Sequence, residues 1–348
     1  WMECLVMVEL SREEYFAEKI VFVDGLPGCG KTLFSNVISA MDRVELLSYS
    51  YEIEHICQLF YLDKIQLDAA TVMISLQADL KLYNTMMGRD VNFRPSDLSS
   101  AIRYHNPSKY FDRLDSVGDS EIPGKIIQER PILNFSVHNM LAFSAPVWES
   151  LGGRCVFIEI VRHPLYMIRQ QALNMQNMIA TARSFSIYFE KDNNEFIYYT
   201  KGWEKKYLQS NSFERVIHFI DNLTNKTKVV KNELMLEFGA NILTIPFEKF
   251  VLKPDPWVNK IARTIGTRIT DKTREIMIEQ NVPRKMVAQG ADLDIYRRCG
   301  WVPPEGGMTE RDELNIRRED VSKKVSSNVL SILDRLSKEY EAQYWTDL

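Results

Sequence analysis

Apolar positions along this chain follow two rhythms. Ile20-Val21-Phe22-Val23 is an unbroken β-branched and aromatic run, as expected of a strand buried on both faces. After Thr32, the residues Leu33, Phe34, Val37 and Ile38 recur at helical spacing. Residues 51–88 carry Leu, Ile and Met at three- and four-residue steps, contain no Pro and reach Gly only at Gly88, which predicts helix. Residues 89–124 are polar, with Pro95, Pro107 and Pro123, and predict a long loop or lid. Residues 125–129 read as a second short strand, with a helical region after it to about Ser150. Residues 155–161 form the clearest later strand, ending at Arg162-His163-Pro164, and Pro164 suits a first helical turn. Residues 165–236 read as largely helical with a break at 191–194. A strand at 241–246 and a helix from about Pro256 to Ile265 follow. Near the C-terminus, over about 318–343, Val321, Val325, Val329, Ile332, Leu333, Leu336 and Tyr340 fall on one helical face, which predicts docking on the body or a dimer contact.

Strands alternating with helices predict an α/β fold: three layers about a central parallel sheet, as in P-loop nucleotide-binding proteins, with large helical insertions at about 51–124 and 165–236. One domain over residues 1–348 is expected. Ligands of such sheets bind at the strands' carboxyl ends.

The candidate chemistry begins between the first strand and its helix. Gly25, Gly30, Lys31 and Thr32 fit the phosphate-binding pattern G-x-x-x-x-G-K-[ST] in the required strand–turn–helix order. Gly25, Gly28 and Gly30 permit backbone angles closed to other residues, so the loop can turn its N–H groups inward around an anion. The helix adds its positive end, Lys31 a point charge, and Thr32 a hydroxyl for a phosphate oxygen or Mg²⁺. An anionic nucleotide is the expected ligand.

Composition narrows the class. The 348 residues are 45% hydrophobic and 26% charged, with a net charge of −4. This is ordinary for a soluble globular protein and predicts no nucleic-acid partner. No apolar run is long enough to span a membrane. The residues before Met7 lack the basic segment of a secretory signal. Five cysteines, Cys4, Cys29, Cys57, Cys155 and Cys299, are widely spaced and predict neither a metal site nor a disulfide framework, so a reducing cytoplasm is the expected setting.

Three later segments extend the constellation: Glu129-Arg130-Pro131 through His138; Val161-Arg162-His163-Pro164; and the stretch from Phe247-Glu248-Lys249-Phe250 to Pro254, followed by a helix ending at Ile265-Gly266. Together with the loop they resemble the P-loop sulfotransferase superfamily, which uses 3′-phosphoadenosine 5′-phosphosulfate (PAPS). The resemblance covers roughly residues 20–300. It implies that Gly25, Pro27, Gly28, Cys29, Gly30, Lys31 and Thr32 hold the 5′-phosphosulfate. It further implies that Arg162, Gln170, Arg284 and Lys285 grip the 3′-phosphate, and that His138, some two dozen residues before Arg162, is the base. Lys31 and His138 are then the catalytic pair, and no metal is needed. The chain departs from the family pattern at Gly28 (usually Lys or Arg), Lys31 (usually Thr) and Gln170 (usually Ser).

The function expected on this resemblance is sulfuryl transfer from PAPS to a hydroxyl or amine of a small-molecule or glycan acceptor. The sequence names neither the acceptor nor the oligomeric state. An ATP·Mg²⁺ kinase is the alternative: Lys31 on the β- and γ-phosphates, Thr32 on Mg²⁺, Glu129 as the strand-end acid, and Arg162, Arg169 or Arg183 on phosphates. A nucleotide-binding protein without turnover is the third reading.

Overall fold

The computed structural model describes residues 8–97, 99–104, 106–115, 118–177, 179, 181–290, 292, 294–298 and 300–345. Cys4, Cys299 and the N-terminal segment weighed as a signal lie outside them.

The strands are β1 (Ile20–Asp24), β2 (Ser48–Tyr49), β3 (Leu133–Ser136), β4 (Cys155–Val161), β5 (Tyr188–Lys191), β6 (Asn194–Ile197) and β7 (Ile242–Pro246). Five make a parallel sheet in the order β2-β3-β1-β4-β7, and β5-β6 is a separate antiparallel hairpin. The helices up to the sheet's middle are α1 (Lys31–Ser39), α2 (Tyr51–Tyr61), α3 (Leu67–Met86), α4 (Ser108–Leu114), α5 (Ile122–Glu129) and α6 (Ala145–Leu151). After β4 come α7 (Pro164–Asn177), α8 (Glu204–Gln209), α9 (Ser212–Phe238), α10 (Phe247–Leu252), α11 (Pro254–Ile265), α12 (Asp271–Glu279), α13 (Asp294–Arg298), α14 (Glu310–Ser322) and α15 (Ser327–Tyr344).

Side-chain alternation along the strands shows the three layers. Phe135, Phe22 and Phe157 are in register across β3, β1 and β4. On that face Trp148 of α6 stacks on Phe157, with ring centroids 5.4 Å apart. The neighbouring Asn134 points the other way and donates to Ser35 O and Ser39 Oγ of α1 at 2.9 and 2.8 Å. Helices therefore cover both faces, and the expected three-layer α/β architecture is present.

Several predicted elements are corrected. Residues 125–129 are helical, not a strand: α5 buries Ile122 and Ile126 one turn apart while Ile127 stays 73% exposed. The strand begins at Leu133 instead. The stretch 51–88 is two helices, broken where Asp63 takes φ 58°. The polar stretch 89–124 is not only loop but contains α4. The 191–194 break is the turn of the β5-β6 hairpin. The C-terminal face belongs to two helices, α14 and α15, separated at 323–326. Their buried residues Val321, Val329, Leu333 and Leu336 join the main core, so this face docks on the body.

Candidate active site

The carboxyl ends of β1, β3 and β4 open into one cleft of about 440 Å³. At one end lies the glycine loop. Gly25, Gly28 and Gly30 take φ of 147°, 84° and 105°, angles that L side chains rarely adopt. Space forbids a side chain as well at two of them. A Cβ on Gly30 would stand 2.4 Å from the Phe247 ring, and one on Gly25 would stand 2.4 Å from Ile160 O. Pro27, Gly28, Gly30, Lys31 and Thr32 line the cleft. Lys31 is buried and donates to Gly25 O at 2.7 Å. Gln171 donates to Pro27 O at 2.8 Å from beneath. Cys29 turns its side chain into the core against Gly25, and burial raises its thiol above the ordinary range. Asp24, ending β1, is buried and accepts the N–H groups of Met140 and Leu141 at 3.1 and 2.7 Å. Burial pushes its carboxyl up to about 6.

Arg162 follows β4 and donates to Gly28 O at 2.9 Å. Its guanidinium lies 4.1 Å from the Phe247 ring centroid, a cation–π contact, and its buried Nε has no partner among the described residues. The strand end is fixed by Glu248 of α10, which accepts His163 N–H at 2.9 Å and the Tyr340 hydroxyl of α15. His163 is fully buried with Nε2 3.3 Å from Glu341, and burial lowers its pKa to about 4. The Phe247-Glu248 pair therefore acts on the site from below: the ring supports Gly30 and Arg162, and the carboxylate anchors the backbone after Arg162.

His138 stands beside the loop, just after β3, between Val137 and Asn139, whose N–H groups donate to Val23 O and Gly25 O at 3.0 and 3.3 Å. Its Nδ1 is 3.1 Å from Glu54 Oε1 of α2, and Glu54 is buried. With a carboxylate as partner, Nδ1 is the donor. Tyr49 and Tyr51 flank the imidazole at 6.2 and 6.1 Å between centroids, each within 13° of parallel. Phe185, Tyr198, Tyr199 and Phe219 continue this wall.

Among the described residues, the cleft lining contains Lys31, Arg162, Arg169, Arg183, Arg284 and Arg317, against Glu54 as its one acidic residue. Of the sequence-predicted residues, Pro27, Gly28, Gly30, Lys31, Thr32, His138, Arg162, Gln170 and Arg284 converge there. Gly25 and Cys29 belong to the loop but not to the lining, and Lys285 is exposed outside it. Glu129 is displaced altogether: it ends α5, before β3, at the sheet edge opposite the loop. There it faces Arg113 at 3.7 Å. Glu54, Gln171 and Arg317 were missed. Glu54 sits in an ordinary amphipathic helix, and its only sequence signal is a carboxylate on a buried helical face.

Among the described residues no cluster of three or more His, Cys, Asp or Glu could hold a metal ion, and no helix is long and apolar enough to cross a membrane. Neither a family model nor a curated protein matches the chain. Among solved structures, it is similar to the sulfotransferase domain of the Synechococcus PCC 7002 olefin synthase (10% identity, 96% of this chain and 98% of that one, TM-score 0.43). It is also similar to the sulfotransferase domain from the curacin biosynthetic pathway (11%, 93% and 97%, TM-score 0.45), and to a sulfotransferase from Alicyclobacillus acidocaldarius (12%, 95% and 98%, TM-score 0.38).

Proposed function

We propose that this chain is a sulfotransferase that carries a sulfuryl group from PAPS to a hydroxyl or amine of an acceptor. One observation carries the reading: a single cleft holds a glycine loop with cations and, beside the loop, a carboxylate-partnered histidine. Its residues fit a nucleotide with two separate anionic groups. The loop N–H groups, Lys31 and Thr32 suit the 5′ side. Arg162, with its unpartnered Nε, Gln170 and Arg284 suit the 3′-phosphate. Bound there, PAPS supplies a sulfuryl group already activated on a phosphate leaving group. His138 receives the acceptor's proton on Nε2, because Glu54 keeps the other nitrogen protonated. Lys31 and the loop N–H groups meet the negative charge that grows on the leaving side.

The Gly30-Lys31-Thr32 sequence favours the second reading, ATP with Mg²⁺. The donor set argues against it, since Mg²⁺ needs carboxylate oxygen beside the phosphates. Asp24 has committed both oxygens to backbone N–H groups, Glu54 is held by His138, and Glu129 is at the wrong edge of the sheet. Comparative thermal shift decides. A ligand at 100 times its dissociation constant adds about 2.7 kcal/mol, and 3′-phosphoadenosine 5′-phosphate is expected to stabilise the fold more than ADP or ATP with Mg²⁺. Equal shifts, or a larger one with ATP and Mg²⁺, would overturn the reading. Tight binding without turnover of labelled PAPS over a broad acceptor panel would favour the non-catalytic reading.

A further inference from the structure

The cleft holds more cation than the nucleotide end uses. Lys31 and Arg162 point into the loop, at Gly25 O and Gly28 O. Arg284 is braced on Asn281 O and Val287 O at 3.1 Å each, with its guanidinium 5.3 Å from the Phe247 ring centroid. Arg317 is paired with Glu313 at 2.6 Å. Arg169 is likewise exposed with no partner among the described residues, but it lies against Gly300, next to Gln170 at the loop. Arg183 differs from the four braced or paired cations. It lines the cleft, it is exposed, and its guanidinium has no partner among the described residues.

Its position ties it to the acceptor end. Arg183 lies two residues before Phe185, whose ring meets Tyr51 at 6.0 Å, and Tyr51 in turn stacks beside His138. The segment is pinned to α2 by His55 Nε2 at 2.6 Å from Phe185 O, and by Ile187 N–H on Gln58 Oε1 at 3.0 Å. Tyr49, Tyr51 and Phe185 remain 40%, 37% and 64% exposed, an unusual outlay of aromatic surface beside a polar dyad. The only acid among the described lining residues, Glu54, is engaged by His138. This side of the cleft therefore offers flat apolar surface, the unpaired Arg183 and, among the described residues, no free carboxylate. A cationic amine finds no counter-charge there, whereas an aromatic alcohol that carries its own anion finds both a stacking surface and a bidentate donor.

We infer that the acceptor is a hydroxylated aromatic compound bearing a carboxylate or similar anionic group, read by Arg183 while its hydroxyl faces His138. This deepens the sulfotransferase reading and rests on it. The anion adds charge-assisted hydrogen bonds to Arg183. The reaction balances as for any acceptor: the hydroxyl oxygen bonds to sulfur, the sulfur–oxygen bond to the nucleotide phosphate breaks, and the hydroxyl proton goes to His138.

The test uses a matched pair, para-hydroxyphenylacetate and para-ethylphenol, of similar size and differing in the charge. Calorimetry on the full chain, with and without 3′-phosphoadenosine 5′-phosphate, is expected to give about tenfold tighter binding of the carboxylate. The preference should shrink as salt is raised. Arg183→Gln should bring the two ligands level, and Arg183→Lys should restore part of the gap. Equal affinities in the wild type, a preference that survives Arg183→Gln, no binding of either phenol, or tighter binding of the amine tyramine would each overturn the inference. Failure of 3′-phosphoadenosine 5′-phosphate to bind would instead sink the sulfotransferase reading, and the phenol preference is still measured without it.

Discussion

At the donor end of the cleft a single run, residues 25–32, supplies the loop, and backbone contacts hold it: Lys31 on Gly25 O, Arg162 on Gly28 O, Gln171 on Pro27 O. At the acceptor end, His138 follows β3, Glu54 sits in α2, Tyr49 and Tyr51 lie at the β2–α2 junction, and Phe185 precedes the β5-β6 hairpin. Tyr49, Tyr51 and Glu54 fall within one short stretch, but His138 and Phe185 come from far along the chain. The first end is a property of local chain geometry, while the second exists only after distant segments pack. Substitutions should therefore act differently at the two ends, through backbone and fold at the loop and through chemistry alone at the dyad.

The largest expected effect belongs to Gly30→Ala. A Cβ there meets the Phe247 ring at 2.4 Å and the residue holds φ 105°, so both backbone strain and a clash follow. We expect a loss of about 2 kcal/mol or more in denaturant unfolding, together with loss of nucleotide binding. A stable Gly30→Ala protein that still binds nucleotide would show that the loop is not the rigid cradle described. Lys31→Ala should keep the fold and lower kcat/KM by about 10²- to 10³-fold. Full activity in that variant would remove the loop from the chemistry.

If the imidazole takes the acceptor's proton as proposed, His138→Ala should lower kcat by about 10²- to 10⁴-fold with nucleotide affinity preserved. Glu54→Gln sharpens the comparison. If Glu54 positions the base, kcat falls by about 10²-fold and the pH–rate profile moves, while KM for the donor stays put. A Glu54→Gln effect confined to stability would make the carboxylate merely structural.

This contrast also explains what was legible. The loop was, because strand, glycines and helix are contiguous and each answers to short-range physics. Arg162 was, because a strand-end residue before a helix-starting Pro164 has a fixed place at the sheet's edge. The helix at 122–129 was not, since two adjacent isoleucines in a short window fit either period and only Ile126 is buried. With that strand misplaced, Glu129 was carried to the wrong edge. Glu54 was invisible because its meaning lies in His138, 84 positions away. Neighbours Arg284 and Lys285 separate for the same reason: one side chain reaches the cleft and the other stays outside it. Arg284→Ala should weaken 3′-phosphoadenosine 5′-phosphate binding by about tenfold or more. Lys285→Ala should change it by no more than about twofold, as an exposed charge. Equal losses at both positions would mean that the cleft closes around the ligand to include Lys285.

The smallest expected net effect is on stability against pH, and it too belongs to the donor end. Asp24 has its folded pKa raised by burial, from 3.8 to about 6. Its contribution is therefore full below about 4 and is lost as pH rises through about 6. His163 has its folded pKa lowered by burial, from 6.5 to about 4. Its contribution is full above about 6.5 and is lost as pH falls through about 4. Each shift is worth about 3 kcal/mol at most. Because the signs oppose over the same window, the wild type should show little slope from these two groups between about pH 4 and 6. Replacing one should unmask the other. In denaturant titrations across that window, Asp24→Asn is expected to gain stability relative to the wild type as pH rises, and His163→Gln to lose it. Subtracting the wild-type curve removes every group the variants share. Parallel curves for all three proteins would mean that neither burial survives in solution, and that the rigid shoulder beneath the loop, from β1 through the turn after β4, is looser than its hydrogen bonds suggest.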